Sequence, residues 1–552
     1  MVLAAALAFR LPALDRRPMH PDEANQAWKT GLLWQTGDYR YDPAEHHGPT
    51  LYYLTLPVLW LAGPGDFAQT TETQYRLLPA LAGVGLVGAI CLLGKALGAG
   101  PVLGAATLTA LSPVMVFYSR YYIQEMLLVL FTLGVLVCLA RWRQSKSLSE
   151  RVFWTALGGG CWGLMAATKE TWVLALGAMG AAALLCTLWN CWLVPPSKSP
   201  LAPPRRPGWP TWVILAVVGL CGAAATAGVF YTSFGAHPEG IRNALGASRV
   251  YLDRGLEAGP HRHAPLFYVE RLLAYRAKGV FWSEGLILGL AVVGGGWAFW
   301  PRKQPHLGEL PQVEPTDRGF VRFLTFYTVF LTILYSAIPY KTPWCAIQFW
   351  HGWILLAGVG GWRLMIWPSG WANRWLARLT VAALGALVGL GVGHLAWQSW
   401  LLNFNGRLYA DGERNPWVYA HTAVHVLRLA ERMEQLAAVS PEGYAMTIHV
   451  IMPDNYWPLP WYLRQFDQER VGYWDRVEDW AEAHHRLPPP HVVIVQVEFA
   501  DQTNPLLQEN YNSQMLFRLR PEVFLRVYVR QDLWEAFLKS PVEPTSRSSA
   551  SA

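Results

Sequence analysis

The chain has 552 residues, 53% of them hydrophobic and only 15% charged, with 29 Trp, a balance that places it among membrane proteins and not among soluble enzymes. Its net charge of +7 is not a nucleic-acid signal. The basic residues gather in short connections between apolar runs, the pattern by which loops stay cytoplasmic.

The first segment, Met1 to Phe9, is too short to cross a bilayer before Arg10, and no basic stretch precedes it as in a cleavable signal peptide. Beyond it lie Met19-His20-Pro21-Asp22-Glu23-Ala24, two adjacent acids opening the amphipathic stretch Ala24 to Trp34. Either acid can serve as a helix N-cap, or the pair can serve chemistry at a membrane surface.

Residues 50 to 63 are apolar, short and rich in Tyr and Trp, which predicts a juxtamembrane or half-inserted helix. Ten longer apolar runs follow, near 75–97, 101–118, 125–140, 152–168, 171–194, 211–233, 280–300, 320–339, 344–366 and 379–398. With the first segment they predict an α-helical polytopic membrane protein of about 11 spans. The basic connections are Arg141 to Arg151, Lys198 to Arg206, Arg302 to Arg318 and Arg363 to Arg378. Placing them in the cytoplasm puts 15–74, 119–124, 168–171, 234–279, 340–343 and everything after 398 on the other face.

After Trp400 the composition turns mixed and polar, and helix and strand patterns alternate. Helices are expected over 418–438, 457–466 and 475–485, and strands over 444–452, 491–497 and 523–529. The expected organisation is a transmembrane catalytic domain over 1–400, a soluble α/β domain over 401–540 and a Ser-rich disordered tail over 541–552. All seven Cys lie at or before Cys345, in or beside apolar runs, so none can staple the C-terminal region. There is no metal box, phosphate loop or dinucleotide glycine motif in that region, and no internal repeat.

Polar residues collect at the outer ends of the predicted spans: Asp22, Glu23, His46 and His47 in the first loop, Arg120 and Glu125 in the second, and Lys169 and Glu170 in the third. His237, His261 and His263 fall in the fourth, Tyr340 and Lys341 in the fifth. Charge beside hydrocarbon is costly, so such residues line a cavity or sit at the interface. Arg120 and Lys341 can also be interfacial snorkelling residues. Lys169 and Glu170 can be a local ion pair. Two histidines alone, His261 and His263, do not complete a metal site.

The order of short motifs carries a resemblance. Pro21-Asp22-Glu23-Ala24, His47-Gly48-Pro49-Thr50-Leu51-Tyr52-Tyr53, Arg76-Leu77-Leu78-Pro79-Ala80, Leu93-Gly94-Lys95, Leu111-Ser112-Pro113, Ser119-Arg120-Tyr121 with Glu125, and Thr168-Lys169-Glu170 together resemble the GT-C glycosyltransferases. Within them the chain is most similar to the protein mannosyltransferase and aminoarabinose transferase branch. The whole chain, including Tyr456-Trp457-Pro458-Leu459-Pro460-Trp461-Tyr462, is similar to the archaeal-type flippase-activity-associated glycosylation proteins. The oligosaccharyltransferase branch fits less well, because its Trp-Trp-Asp signature is absent and Gly472-Tyr473-Trp474-Asp475 only echoes it.

The resemblance implies a polyprenyl-phosphate sugar as donor, a protein, glycan or lipid acceptor, and transfer on the extracytoplasmic face of an inner membrane. It implies that Asp22 is the first-loop acid, acting as general base or metal-side carboxylate, and Glu125 the second-loop acid. Glu125 departs from the usual Asp by one methylene, which weakens a shared metal geometry. His47 falls where some relatives carry a metal-binding or catalytic acid, and Lys169 where they hold the lipid phosphate. On this reading Asp22 removes the acceptor proton, Arg120, Lys169 and Lys341 bind the departing phosphate, and Glu23 and Glu125 orient the base or a divalent cation. The candidate ligands for such a cation (Mg, Mn or Zn) are Asp22, His47, Glu125, His261 and His263. A flippase or its accessory remains the alternative, though it would need charges along a path through the membrane. A receptor or scaffold would not need paired acids in the first two outer loops.

Overall fold

The computed structural model describes residues 1–44, 47–192, 208–247, 259, 261–300, 316–453, 455–507 and 509–540. His46, the basic connections at Lys198 to Arg206 and at Arg302 and Lys303, and the tail over 541–552 lie outside the described residues.

The chain divides into two compact units. The first comprises Met1–Pro12, Asp38–Leu54 and Arg76–Asn403, and the second Ala13–Gly37, Thr55–Tyr75 and Phe404–Ala552. The first unit is helical. It contains α1 (Val2–Arg10), and most of α4 (Glu72–Ala89), which runs on through a 3-10 turn into α5 (Gly94–Leu97). Then come α6 (Ala99–Leu111), α7 (Pro113–Ser119), α8 (Glu125–Gln144), α9 (Leu148–Ala166), α10 (Trp172–Trp192) and α11 (Trp209–Tyr231). Helix Phe267–Leu273 follows, and then the four helices Gly285–Phe299, Arg318–Ala337, Ala346–Ile366 and Arg374–Phe404. A two-stranded ribbon, β1 (Tyr275–Ala277) with β2 (Val280–Trp282), precedes the first of these four.

Each long apolar run marked in the sequence contains a helix, though the run from residue 280 opens with strand β2 and its helix begins only at Gly285. Among the described residues six helices are long and apolar enough to cross a membrane, and α6 with α7, bent by 60° at Ser112, can make a seventh. The break follows from chemistry: Pro113 cannot donate the helix hydrogen bond, so the helix stops and restarts there. Helices approach closely where side chains are absent: a Cβ on Gly360 would lie 1.8 Å from the carbonyl oxygen of Leu290, so only glycine permits that crossing.

The second unit contains a five-stranded sheet in the order β4-β3-β5-β7-β6. β3 (Ile448–Ile451) pairs in parallel with β4 (Val471–Trp474) and β5 (Val492–Gln496). β7 (Val523–Arg530) runs antiparallel to β5 and to β6 (Tyr511–Arg520). β3 and β5 are buried along their whole length, as central parallel strands covered on both faces must be. Trp480, from helix Val477–Arg486, packs with Ile451, Val493, Val495 and Tyr528 in one core cluster.

The first-loop helix α2 (Pro21–Thr36) belongs to this second unit. Specific bonds hold its start there: the Met19 amide donates to the Tyr462 hydroxyl at 2.8 Å, and the Thr422 hydroxyl donates to the Met19 carbonyl at 2.6 Å. The straddling helix α3 (Thr50–Ala62) leads to Thr70 and Glu72, which accept from Arg464 at 2.5 Å and from the Trp461 indole at 2.9 Å.

Candidate functional site

In the first unit, the N-terminal end of α8 meets the turn between α9 and α10. Lys169 in that turn donates its ammonium to Glu125, the first residue of α8, and the side chains are 8% and 2% exposed. A carboxylate there also meets the positive end of the α8 dipole. Gln348, on helix Ala346–Ile366, donates to the Glu125 carbonyl at 3.2 Å. Burial disfavours the Lys169 ammonium, but the field of Glu125 outweighs it and holds this lysine above its ordinary range.

The segment before α3 closes on the same turn. His47 Nδ1 lies 2.8 Å from Glu170 Oε2, the Thr50 and Thr168 hydroxyls are 2.7 Å apart, and the Thr50 amide donates to the Ala167 carbonyl at 3.1 Å. Gly48 makes this approach possible, since a Cβ there would stand 2.2 Å from the Ala167 carbonyl oxygen. Glu125 and His47, far in sequence from each other and from the adjacent Lys169 and Glu170, are therefore joined to them through one turn. Lys169 pairs across helices with Glu125, and its sequence neighbour Glu170 turns to His47.

Arg120 and Lys341 are buried and donate to backbone carbonyls. Arg120 donates to the carbonyls of Arg10 and Pro12 at 2.9 and 2.8 Å, tying down the end of α1. Arg10 is itself buried, donating to Thr109 and Ala110 carbonyls at 2.8 and 2.9 Å. The short first helix is thus anchored by two arginines rather than by length. Lys341 donates to the carbonyls of Ile338 and His263, the second at 3.3 Å. His261 packs on Tyr340 and His263 stacks on Phe267, with ring centroids 4.9 and 4.2 Å apart. Desolvation, then the neighbouring charges of Arg271, His261 and Lys341, lower the basicity of His263.

Two residues of this unit escaped the sequence reading. Arg271 lies 3.7 Å over the Phe267 ring and completes the cationic group around His263. Glu284, fully buried just before helix Gly285–Phe299, accepts from the Ser112 hydroxyl at 2.5 Å, the Val114 amide at 2.9 Å and the Trp350 indole at 3.0 Å. It closes the break between α6 and α7 and links it to the helix that carries Gln348. The signal was a carboxylate inside a run counted as apolar from residue 280.

In the second unit, the helix cap is not Asp22 or Glu23, as the sequence pattern predicts, but His20. The His20 Nδ1 accepts from the Asp22 amide at 3.1 Å, and Glu23 Oε2 accepts from the His20 amide at 3.0 Å, a reciprocal capping box with Pro21 at the first helical position. The His20 Nε2 lies 3.0 Å from the Tyr419 carbonyl. The two acids therefore differ: Glu23 is fully buried and engaged in the cap, whereas the Asp22 side chain is 51% exposed at the positive end of the helix. An exposed carboxylate on a rigid helix start can accept a proton from an incoming group.

Within the first unit the candidate metal ligands do not assemble. Glu125 faces Lys169, His47 faces Glu170, and among the described residues no group of three or more His, Cys, Asp or Glu could hold a metal ion. Among the described residues of the first unit, His47, Glu125, His261 and His263 do not fit a bound cation.

A family model described as dolichyl-phosphate-mannose-protein mannosyltransferase matches residues 55–221. No curated protein matches the chain. Among solved structures, ArnT from Cupriavidus metallidurans bound to undecaprenyl phosphate superposes with a TM-score of 0.62 at 16% identity, covering 96% of this chain and 98% of that one. The archaeal oligosaccharyltransferase AglB from Archaeoglobus fulgidus, in complex with an inhibitory peptide and a dolichol-phosphate, gives 0.52 at 11% identity over 97% of this chain and 76% of its own. The chain has the GT-C fold, with multiple membrane helices and a C-terminal domain built around a sheet.

Proposed function

We propose that the protein is a membrane glycosyltransferase that takes a sugar from a polyprenyl-phosphate donor and passes it to an acceptor on the extracytoplasmic face, with inversion at the anomeric carbon. The observation that carries this reading is the buried Lys169–Glu125 pair, held in a GT-C fold where α8, α9 and α10 meet. A lysine kept charged inside a protein is suited to a phosphate. The lipid phosphates bound to ArnT and AglB support the same donor class.

The chemistry needs no metal. Asp22 takes the proton of the acceptor hydroxyl or amine, the acceptor atom bonds to the anomeric carbon, and the bond from that carbon to the phosphate oxygen breaks. The electron pair leaves with the polyprenyl phosphate. Lys169 neutralises the departing phosphate, Glu125 holds the ammonium in place, and Arg120, Lys341 and Arg271 add positive potential. Glu23 is a positioning residue, because its carboxylate is spent on the helix cap that presents Asp22. Within the GT-C enzymes we place the chain in the protein mannosyltransferase and aminoarabinose transferase branch, near the flippase-activity-associated glycosylation group, with its sheet domain outside an inner membrane.

The test is transfer by the purified full chain in nanodiscs, given labelled polyprenyl-phosphate sugars and a membrane extract. Label should move from lipid to an acceptor, and Asp22→Asn should abolish that while retaining donor binding. Full activity of Asp22→Asn would remove the base assignment. Absence of transfer from every polyprenyl-phosphate sugar, with lipid-linked sugar crossing the bilayer instead, would favour a flippase.

A further inference from the structure

At the opposite end of α8 from Glu125, the first unit contains a groove of about 610 Å³ between α1, α4, α5, α6 and α8. That volume falls within the roughly 300–1,000 Å³ of small-ligand sites. Its floor is apolar and buried, with Val87, Val102 and Ala106 among its residues, and its rim carries Leu3 and Leu103, which are 49% and 60% exposed. Half-exposed leucines on helices that cross or border a membrane face hydrocarbon. Two cations, Lys95 and Arg141, line the same groove.

Arg141 uses its Nε to donate to the Leu92 carbonyl at 3.1 Å, so the guanidinium is fixed across the 3-10 turn that ends α4. Among the described residues neither Lys95 nor Arg141 forms an ion pair. At 1.5 Å per residue α8 sets Arg141 about 24 Å from Glu125, most of the thickness of a bilayer core. The groove therefore lies at the basic end of the bundle and not at the Lys169–Glu125 end.

We propose that this groove binds an anionic phospholipid of the cytoplasmic leaflet, with an acyl chain along the floor and the headgroup phosphate between Lys95 and Arg141. Charge complementarity selects the occupant. A neutral tail alone fills an apolar groove but leaves two cations beside hydrocarbon, whereas a lipid with net negative charge satisfies both. Arg141 can hold phosphate oxygens in a forked geometry and Lys95 supplies a point charge. This site is separate from the donor site and does not depend on the transfer reaction.

The test is native mass spectrometry of the purified full chain in detergent with added phosphatidylglycerol or phosphatidylcholine of identical acyl chains. One phosphatidylglycerol should be retained with roughly thirtyfold preference, the scale expected for two cations near a headgroup. Lys95→Gln with Arg141→Gln should bring the two lipids to parity, and Lys95→Gln alone should lower the preference about fivefold by the same reckoning. Gly94→Trp should reduce retention of both lipids, because Gly94 has helical dihedrals and its missing side chain faces open space. Lys169→Met should leave the preference intact. Equal retention of both lipids by the wild type would overturn the proposal. So would a preference that survives the double substitution, disappears in Lys169→Met, or is removed by millimolar inorganic phosphate.

Discussion

Lys169 and Glu125 form an ion pair in which both side chains are almost fully buried, 44 residues apart in sequence and joined only because α8 begins where α9 ends. A pair so placed has weak alternatives on either side: the charges are costly to bury and more costly to separate.

Removing one partner should therefore be worse than removing both. Glu125→Gln or Lys169→Met should each cost about 3 kcal/mol, and the double variant less than either single one. Thermal unfolding of all three in one detergent measures the coupling. Additive losses would mean that the two groups do not support each other. On the transfer reading, all three variants lose activity, Lys169→Met with weakened donor binding.

Asp22 and Glu23 should separate cleanly. Glu23→Gln weakens a carboxylate that accepts from the His20 amide inside a capping box, and should cost about 1 kcal/mol of stability. Asp22→Asn leaves the cap in place and should change stability little while lowering the transfer rate at least 100-fold, the scale of general base catalysis. Unfolding temperature and transfer rate, measured on both, discriminate them; a destabilised Asp22→Asn with normal turnover would reverse the roles.

Gly48→Ala places a methyl group on the Ala167 carbonyl oxygen, which is backbone and cannot swing aside. The 47–50 segment must shift, separating His47 from Glu170 and Thr50 from Thr168, at a cost of about 1–3 kcal/mol. A matched loss in Glu170→Gln and no further loss in the double variant would show that both act through this one contact.

The second unit should lose stability in mild acid through His449. Desolvation, with a smaller effect of His484, pushes its pKa from the ordinary 6.5 to about 4, and its Nδ1 accepts from the Trp480 indole at 3.1 Å. A folded-state pKa below the unfolded one means that unfolding takes up a proton between these values. The stabilisation is complete above pH 6.5 and falls as pH drops towards 4, by about 2 kcal/mol at pH 5. His449→Gln, which keeps an acceptor for Trp480, should flatten the dependence of unfolding on pH between 7 and 5; an unchanged slope would assign it to other groups.

Periodicity and composition made the spans legible, because an apolar run in a membrane has few alternatives to a helix. Each of the ten runs from 75 to 398 contains a helix, the one at 280–300 after the short strand Val280–Trp282, and the short apolar stretch at 50–63 is the helix Thr50–Ala62. The buried strands Ile448–Ile451, Val492–Gln496 and Val523–Arg530 were equally visible as apolar runs. The others were not. β6 alternates partly exposed polar and apolar residues, β4 contains Gly472, and only a four-residue helix, Leu459–Tyr462, forms where a longer one was expected around Trp457–Phe466.

Among the site residues, type and approximate position were readable, since charge at the end of an apolar run is conspicuous. Partnership was not. Nothing in Lys169-Glu170 says that the lysine turns to Glu125 and the glutamate to His47, because those contacts cross more than 40 and more than 120 residues. Likewise Asp22-Glu23 reads as two equivalent acids until the fold gives Glu23 to the cap of His20 and leaves Asp22 exposed. Hydropathy along the chain thus determined that this protein is a bundle of membrane helices with a sheet domain after it. Which charges are spent on structure and which stay available for chemistry was decided only by tertiary packing, because burial, pairing and desolvation depend on residues far away in the sequence.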